Sequence, residues 1–374
     1  MRLSELPLPD AAAQAASRAL SERIGAELRA HDNWMSFARY MELALYESQF
    51  GYYAVGATPL GRSGDFITAP ELSPLFARTL ARQVADLLQP GDAVLEFGAG
   101  SGALAEVLLE ELACPYLILE TSAALRARQR ERLGAHVQWI DRLPQRFSGV
   151  MLANEVADAM PVHALAWTGA GIAERGVCAN EGQFAWCERP AAGALAAAAR
   201  AIEIELPPSG RYESEIGLAG RVWLRTLGAA LERGAIIVVD YGFTHREYYH
   251  PQRSMGTLMC HYKHRAHGDP FFFPGLQDIT AHVDFSALAQ AAGESGLEVL
   301  GFASQAQFLV NCGITELLGA ENASDAVHYA PLAASAQTLL SPAEMGELFK
   351  VLAVGRGIEQ PLRGFASGDR SHTL

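Results

Sequence analysis

The amino-acid sequence predicts an α/β fold in which helices cover a parallel sheet. Apolar runs of strand length alternate with segments of helical spacing, several of the runs are continuously apolar, and one run leads through a glycine-rich turn into a helix. Half of the 374 residues are hydrophobic and 19% are charged. This composition is sufficient for a large core and excludes a disordered chain.

The N-terminal part of the chain predicts helices separated by a loop. Residues 10–30 and 34–49 carry apolar side chains at helical spacing. Glycines and prolines interrupt residues 51–71, and this pattern indicates a loop. Ser73 is followed by a proline suited to the first helical position, which predicts a helix that extends to about Leu88.

Strands alternate with helices in the rest of the chain. The alanine-rich stretch at 191–201 predicts an ordinary helix, and another helix is expected after the glycine-rich turn. Apolar runs predict strands at 93–97, 116–120, 150–153, 235–240, 298–304 and 349–354.

Three insertions separate the later strands, at about 162–230, 243–283 and 305–345. The first begins with a pattern typical of one or two β-hairpins, the second is a loop rich in aromatics and histidines, and the third is mainly helical. We expect the insertions to form a substrate cap on a core built from residues 91–374. Residues 1–90, the N-terminal helices and their loop, would pack on this core.

Charge and hydropathy limit the possible partners and location. The net charge of −13 argues against a nucleic-acid partner, because such proteins need a basic surface. No apolar run has the length of a membrane span. The N-terminus lacks the apolar segment and cleavage site of a signal peptide, and its acidic residues argue against a transit peptide. We therefore expect a soluble cytoplasmic protein.

The cysteines and histidines do not predict a metal site. The five cysteines are odd in number and scattered without a C-x-x-C pair, which favours reduced thiols over a disulfide framework. His261, His264 and His267 are spaced by three, but basic residues lie between them and no helical pattern aligns them. A surface or substrate-contacting loop is therefore favoured over a metal site. The cysteines are Cys114, Cys178, Cys187, Cys260 and Cys312.

Residues 92–102 (DAVLEFGAGSG) combine a buried strand, an acidic residue and a glycine-rich turn. Gly98, Gly100 and Gly102 allow the backbone to turn tightly and to approach a ligand closely at the start of a helix. Their spacing is GxGxG, whereas dinucleotide-binding proteins typically have GxGxxG. Glu96 favours a cationic ligand such as S-adenosylmethionine (SAM) and would repel a pyrophosphate. A tight turn without any ligand is the alternative.

A second acidic residue ends the next predicted strand. Glu120 lies 22 residues after Gly98, where an acid accepts hydrogen bonds from ribose hydroxyls in nucleotide-binding folds. Together with Glu96, this residue favours SAM over NAD as the cofactor.

Polar side chains also follow the predicted strand at 150–153. Asn154, Glu155 and Asp158 lie at its carboxyl end, the edge at which open α/β sheets bind ligands. The alternative is a helix N-terminus, with Asn154 as the cap and the acids in the first turn. Two carboxylates beside the expected methyl donor favour a functional role over this alternative.

These segments resemble the MidA-like family of SAM-dependent methyltransferases, which includes the mitochondrial complex I assembly factor that methylates protein arginine. The resemblance extends from about residue 35 to residue 308, over most of the chain. Besides the glycine-rich turn, the similar segments are GYY at 51–53, GDFITAPELSPLF at 64–76, ANEVADAMPVH at 153–163, VVDYGF at 238–243, HRAHGDP at 264–270 and QDITAHVDF at 277–285.

The resemblance implies a Rossmann-like class I methyltransferase sheet with SAM as the cofactor. It implies that the 64–71 loop closes over SAM, with Asp65 and Thr68 as polar contacts. Structural roles in the loop are the alternative for both residues. The residues expected to bind SAM are then Asp65, Thr68, Glu96, Gly98, Gly100, Gly102, Glu120 and Asn154.

The resemblance also implies methylation of protein arginine. Glu155 and Asp158 could grip a guanidinium bidentately and accept its departing proton. His282 and Asp284 could complete the pocket, or act as a structural histidine and a helix cap. The implied partner is a protein substrate, such as a respiratory complex subunit, and the chain could form a homodimer. A small-molecule methyltransferase and a non-catalytic assembly factor are the alternatives, and an NAD-dependent oxidoreductase is the weakest one.

Overall fold

The computed structural model describes residues 6–54 and 68–374. Within them the chain separates into two compact units. Unit 1 comprises residues up to 54, Asp158–Arg221 and His245–Asp284, and unit 2 comprises residues 68–157, Val222–Thr244 and Phe285–Leu374.

The strands and helices alternate along much of the described chain. The strands are β1 (Met35–Ser36), β2 (Ala93–Phe97), β3 (Tyr116–Leu119), β4 (Gln138–Ile140), β5 (Phe147–Asn154), β6 (His163–Thr168), β7 (Gly171–Asn180), β8 (Gln183–Pro190), β9 (Arg211–Ile216), β10 (Leu231–Phe243), β11 (Met259–Tyr262), β12 (Arg265–His267), β13 (Asp278–Thr280), β14 (Val283–Asp284), β15 (Glu298–Ser304) and β16 (Phe349–Arg356). The helices are α1 (Ala11–Ala30), α2 (Phe37–Tyr46), α3 (Ala69–Leu72), α4 (Pro74–Leu87), α5 (Ala103–Glu111), α6 (Ala123–Leu133), α7 (Gly193–Arg200), α8 (Leu218–Ala230), α9 (His245–Tyr248), α10 (Phe285–Glu294), α11 (Gln305–Asn311), α12 (Ile314–Gly319), α13 (Ala326–Leu340) and α14 (Met345–Leu348).

Unit 2 contains the central sheet, whose strands lie in the order β15-β16-β10-β5-β2-β3-β4. The pairs β10–β5, β5–β2, β2–β3 and β3–β4 are parallel. The sheet interior is apolar, because Val94, Val150, Ile237 and Val351 are buried in one core cluster with α4 and α5. The carboxyl ends of β2, β3, β5 and β10 therefore meet at one edge, which is where such sheets bind ligands.

All six predicted strands are confirmed, with one difference in direction. The last strand, β16, runs antiparallel to both β10 and β15, whereas the apolar runs predicted a parallel sheet throughout. An apolar run shows that a strand is buried on both faces and carries no information about its direction. The predicted helix that begins after Ser73 is also confirmed, since the Ser73 hydroxyl caps α4 and Pro74 is its first residue.

Unit 1 is built on antiparallel pairing. The order β1-β7-β6-β9, with β8 also paired to β7, forms one sheet, and β12-β11-β13 forms a smaller one. Helices α1 and α2 bury Leu20, Ile24, Tyr40 and Met41 in the core of this unit. The predicted hairpins after residue 162 are thus confirmed.

The histidine-rich segment of unit 1 is a hairpin, whereas the sequence predicted a loop. Strands β11 and β12 pair in antiparallel fashion, with Cys260 opposite His267. The two residues between the strands, Lys263 and His264, have φ of 47° and 59°. Positive φ at both central residues is the geometry of the tightest hairpin turns, although non-glycine residues seldom adopt it. His267 is buried, and burial lowers the pKa of its imidazole.

Two cysteines contradict the prediction that all thiols are reduced. Cys178 on β7 and Cys187 on β8 form a disulfide, because the register of the hairpin brings their Cα atoms to 6.1 Å. Such proximity depends on strand register, which the spacing of the cysteines does not reveal. Among residues 6–54 and 68–374, no helix is long and apolar enough to cross a membrane.

Candidate active site

The glycine-rich turn after β2 depends on glycine conformations. Gly98, Gly100 and Gly102 have φ of 59°, 55° and 83°, which side chains other than glycine rarely adopt. The Gly98 amide donates to the Leu119 carbonyl at 3.1 Å. A Cβ atom on Gly98 would lie 3.2 Å from Val156 Cγ2. The turn therefore lies against the segment that follows β5.

Glu96 is a buried carboxylic acid at the end of β2. Its side chain is 2% exposed, and its Oε2 accepts a hydrogen bond from the Tyr116 hydroxyl at 2.8 Å. Burial raises the pKa of Glu96 to about 7, and the charge of Glu120 adds to this rise. The carboxyl group therefore changes its charge near neutral pH, next to the glycine-rich turn.

The raised pKa of Glu96 predicts that SAM binds more tightly as the pH rises. A cation favours the ionised carboxylate, so we expect the SAM dissociation constant to fall severalfold from about pH 6 to about pH 8. Without ligand, the same raised pKa should make the free energy of unfolding fall with rising pH in the window between 4.5 and about 7. Calorimetric titrations across this range test the binding.

Glu96→Gln is the control for this pH dependence. It keeps the hydrogen-bond acceptor for Tyr116 and removes the titrating group, so the SAM dissociation constant should vary less with pH than in the wild type. If the two profiles have the same slope, Glu96 is not the group that responds to pH.

Glu120 follows β3 and is also buried. Its Oε1 accepts from the Ser122 amide at 2.9 Å, and its Oε2 accepts from Gln129 Nε2 at 3.1 Å. Burial raises the pKa of Glu120, while these two hydrogen bonds oppose the rise. Gln129 Nε2 also donates to the Gly100 carbonyl at 3.0 Å. Glu120 and the glycine-rich turn are thus held together by a residue that sequence reasoning missed.

The end of β5 brings Asn154 and Glu155 into the same region of unit 2. Asn154 Nδ2 and the Ala69 amide donate to Glu155 Oε1 at 3.1 and 3.2 Å. Glu155 has φ of 53°, a conformation that residues other than glycine adopt at a cost. Residues 155–162 are not helical, so the alternative that Asn154 caps a helix is wrong.

Asp240 on β10 is a further residue that sequence reasoning missed. It is fully buried, and its Oδ2 accepts from the amides of Val156 and Ala157 at 3.2 and 2.9 Å. Its Oδ1 accepts from the Tyr241 amide at 2.9 Å. Asp240 thereby fixes the backbone after Glu155. The sequence did offer a signal for this residue, because Asp240 is an acid at the end of the predicted strand 235–240.

The 64–71 loop is only partly described. Thr68 precedes α3, and its carbonyl accepts from the Glu71 and Leu72 amides at 3.1 and 3.0 Å. Asp65 lies outside the described residues. Ala69 reaches Glu155 through its amide, so the end of this loop does lie beside the carboxyl end of β5.

The remaining candidates lie in unit 1. Asp158 is 6% exposed, and its carbonyl accepts from the Ala281 amide at 3.0 Å, which places it beside His282. Asp284 Oδ2 pairs with His245 Nδ1 at 3.1 Å. The structure therefore brings Asp158 close to the His282 segment. His245 was not anticipated, because its partner lies 39 residues away.

The His282 backbone is tied to a buried acid. Its amide donates to Thr257 Oγ1 at 3.1 Å, and this hydroxyl donates to Glu215 Oε2 at 2.9 Å. Burial raises the pKa of Glu215, and the bonds from Thr257 oppose the rise. This network fixes the position of the segment that carries His282 and Asp284.

Comparison with known proteins identifies the family. The family model of S-adenosyl-L-methionine-dependent methyltransferases matches residues 75–303. The chain belongs to this family. A crystal structure from Burkholderia thailandensis bound to S-adenosyl-homocysteine (SAH) is 50% identical, with a TM-score of 0.95 over 99% of this chain and 100% of that one. A native crystal structure from the same organism is 50% identical, with the same coverage and a TM-score of 0.92.

These findings confirm the predicted class I methyltransferase fold and SAM as the cofactor. The enzyme is a SAM-dependent methyltransferase. Two observations are compatible with this cofactor. The glycine-rich turn has positive φ at Gly98, Gly100 and Gly102, and the Asn154 Oδ1 atom is buried without a hydrogen-bond partner among the described residues. When bound, SAM supplies a methyl group on a sulfonium, which is transferred by in-line displacement.

Curated relatives cover most of the chain at lower identity. "Protein arginine methyltransferase NDUFAF7, mitochondrial" is 29% identical in Danio rerio, over 86% of this chain and 83% of the relative. In Mus musculus it is also 29% identical, over 86% and 80%, and the Drosophila melanogaster homolog is 27% identical, over 88% and 84%. The expectation of a cytoplasmic protein is contradicted by these relatives, which are named as mitochondrial proteins.

Proposed function

We propose that this methyltransferase modifies arginine side chains of a partner protein. The names of the curated relatives carry this proposal, since they are protein arginine methyltransferases matched over 86% of the chain. The net charge of −13 also suits a basic substrate. The proposal includes a respiratory complex subunit as the protein substrate and a homodimer as the form of the enzyme. Both rest only on the resemblance to the MidA-like family.

The SAM contacts are proposed from the arrangement in unit 2. Gly98, Gly100 and Gly102 would accommodate the close approach of the cofactor, and Glu96 would favour its positive charge. Glu120 would accept the ribose hydroxyls. Asn154 would use its buried Oδ1, and Asp65 and Thr68 remain proposed contacts from the loop.

The methyl acceptor would be held by carboxylates. Arginine is always protonated in proteins, so its charge must be drawn away from the nitrogen that receives the methyl group. Glu155 and Asp158 are proposed to grip the guanidinium and to accept its proton. The carboxylate of Glu155 is held by two donors, which supports an oriented role. His282 and Asp284 remain proposed as further catalytic residues.

Methyl transfer to peptides tests this proposal. The purified protein is incubated with isotopically labelled SAM and peptides that carry one central arginine, in basic and in acidic surroundings. Matched peptides carry lysine, or citrulline, which keeps the shape of arginine and lacks its charge. We expect label on arginine alone, located on the guanidinium by mass spectrometry. Label on lysine or on a small molecule would overturn the arginine proposal, and SAM binding without any transfer would favour a non-catalytic assembly factor.

Asp158→Asn should separate binding from transfer. The substitution removes a buried carboxylate and keeps its shape, so we expect SAM affinity to stay within about threefold and kcat to fall about 100-fold. Calorimetry and initial rates measure the two quantities. Glu174→Gln is the matched control, because Glu174 is a mostly buried acid of unit 1 that pairs with His163. Equal losses of SAM binding and of transfer in Asp158→Asn would mark the residue as structural.

A further inference from the structure

Gln129 on α6 is a buried polar residue whose hydrogen-bonding groups all have partners. It is 0% exposed. Its Nε2 donates to the Gly100 carbonyl at 3.0 Å and to Glu120 Oε2 at 3.1 Å, and its Oε1 accepts from the Trp139 indole at 3.0 Å. A side-chain amide has two N–H donors, so one serves the glycine-rich turn and the other serves the acid.

The indole fixes which way the amide points. Trp139 Nε1 can only donate, so it must face the oxygen of the Gln129 amide. The nitrogen is then directed at two acceptors, the Gly100 carbonyl and the Glu120 carboxylate. A buried network in which every group is satisfied holds its members in one arrangement.

The consequence for Glu120 is a carboxylate with a single orientation. Gln129 holds Oε2 and the Ser122 amide holds Oε1. A carboxylate has about four acceptor positions, so these two bonds leave others for a ligand. The two hydroxyls of a ribose require two acceptors at a fixed spacing, and an oriented carboxylate provides them without further loss of side-chain entropy.

We infer that Gln129 is a positioning residue for ribose recognition. It orients the Glu120 carboxylate toward the 2′- and 3′-hydroxyls of the cofactor and keeps the acid in register with the glycine-rich turn. This inference rests on the proposed role of Glu120 as the ribose acceptor. It assigns to Gln129 no contact with the cofactor itself.

Removal of the ribose hydroxyls from the ligand provides the test. SAH and its analogues without the 2′- or the 3′-hydroxyl are titrated calorimetrically into the wild type and into Gln129→Met. In the wild type, each missing hydroxyl should weaken binding about 10-fold to 100-fold, because the hydrogen bond goes to a charged acceptor. The factor by which a missing hydroxyl weakens binding is called the hydroxyl ratio. In Gln129→Met the hydroxyl ratio should fall to about threefold, because methionine fills the space and donates no hydrogen bond.

The ratio separates positioning from a general structural effect. Gln305→Met is the matched control, since Gln305 is also 0% exposed in unit 2 and its Nε2 donates to the Leu339 carbonyl. It should lower the free energy of unfolding and leave the hydroxyl ratio unchanged. If Gln129→Met weakens all three ligands equally, Gln129 is structural and the inference is wrong.

Two further variants keep the inference testable if Gln129→Met does not fold. Gln129→Glu preserves shape and places a second carboxyl beside Glu120, so the pair should share a proton and SAH binding should depend more steeply on pH near neutrality than in the wild type. A pH profile unchanged from that of the wild type would overturn the inference. Glu120→Ala shows whether the acid reads the ribose at all. If Glu120→Ala retains the wild-type hydroxyl ratio, Glu120 is not the ribose acceptor and the proposed function of that residue is wrong. If Glu120→Ala loses the hydroxyl ratio and the Gln129 variants retain it, only the inference about Gln129 is wrong.

Discussion

Replacing Gly98 by valine should abolish SAM binding in a protein that still folds. Two effects act together at this residue. Its φ of 59° disfavours a β-branched side chain, and the new Cβ would lie 3.2 Å from Val156 Cγ2. The γ-carbons would then crowd the turn at which the cofactor is proposed to approach the backbone. We expect the dissociation constant to rise at least about 100-fold by calorimetry.

Gly134→Val separates the loss of the cofactor site from backbone strain. Gly134 has φ of 60°, and a Cβ atom there would meet nothing within 4 Å. This variant should therefore lose stability through backbone strain, since Gly134 has φ of 60° and ψ of −139°, and it should bind SAM like the wild type. Normal SAM binding by a folded Gly98→Val protein would mean that the cofactor site lies elsewhere.

The parts of the site that the sequence predicted are those that depend on local chemistry. The glycine-rich turn needs positive φ at residues close together in the chain, so its pattern is visible in a short segment. Glu96 is the last residue but one of a predicted strand and Glu120 is the last residue of the next, and the parallel arrangement of β2 and β3 brings both to one edge. Ser73 and Pro74 likewise signal a helix start by their own geometry.

The parts that were missed depend on contacts between distant residues. β9 reads RYESEI, a charged pattern, yet Ser214 and Glu215 in it are buried. Glu215 is tolerated there because Thr257, 42 residues later, donates two hydrogen bonds to it. The three-residue strand β4 is too short to show a period. Gln129 carries no signal at all, since a glutamine in a helix rich in charged residues looks like a surface side chain.

Asp240 lies on β10 and fixes the backbone that follows Glu155. Its removal should have the second-largest effect on SAM affinity among the predicted variants. Its carboxylate accepts three backbone amides, from Val156, Ala157 and Tyr241. Alanine would leave these groups without their acceptor, which costs about 1–3 kcal/mol for each one that stays buried. The segment after Glu155 would lose its fixed path beside the Gly98 turn. In Asp240→Ala, or in the milder Asp240→Asn, we expect lower stability together with SAM affinity reduced about 10-fold or more.

Asp92 supplies a matched control at the opposite edge of the same sheet. It precedes β2, is 7% exposed, and its Oδ2 accepts from the Gln89 amide and from Arg233 Nη1, both at 2.8 Å. Asp92→Asn should lower the free energy of unfolding measured by denaturant titration and leave SAM affinity unchanged. A loss of stability without a loss of SAM affinity in the Asp240 variants would limit that residue to a structural role. A loss of both, beside an intact site in Asp92→Asn, would show that the carboxyl edge of the sheet forms the cofactor site through the acid on β10 as well as through the turn after β2.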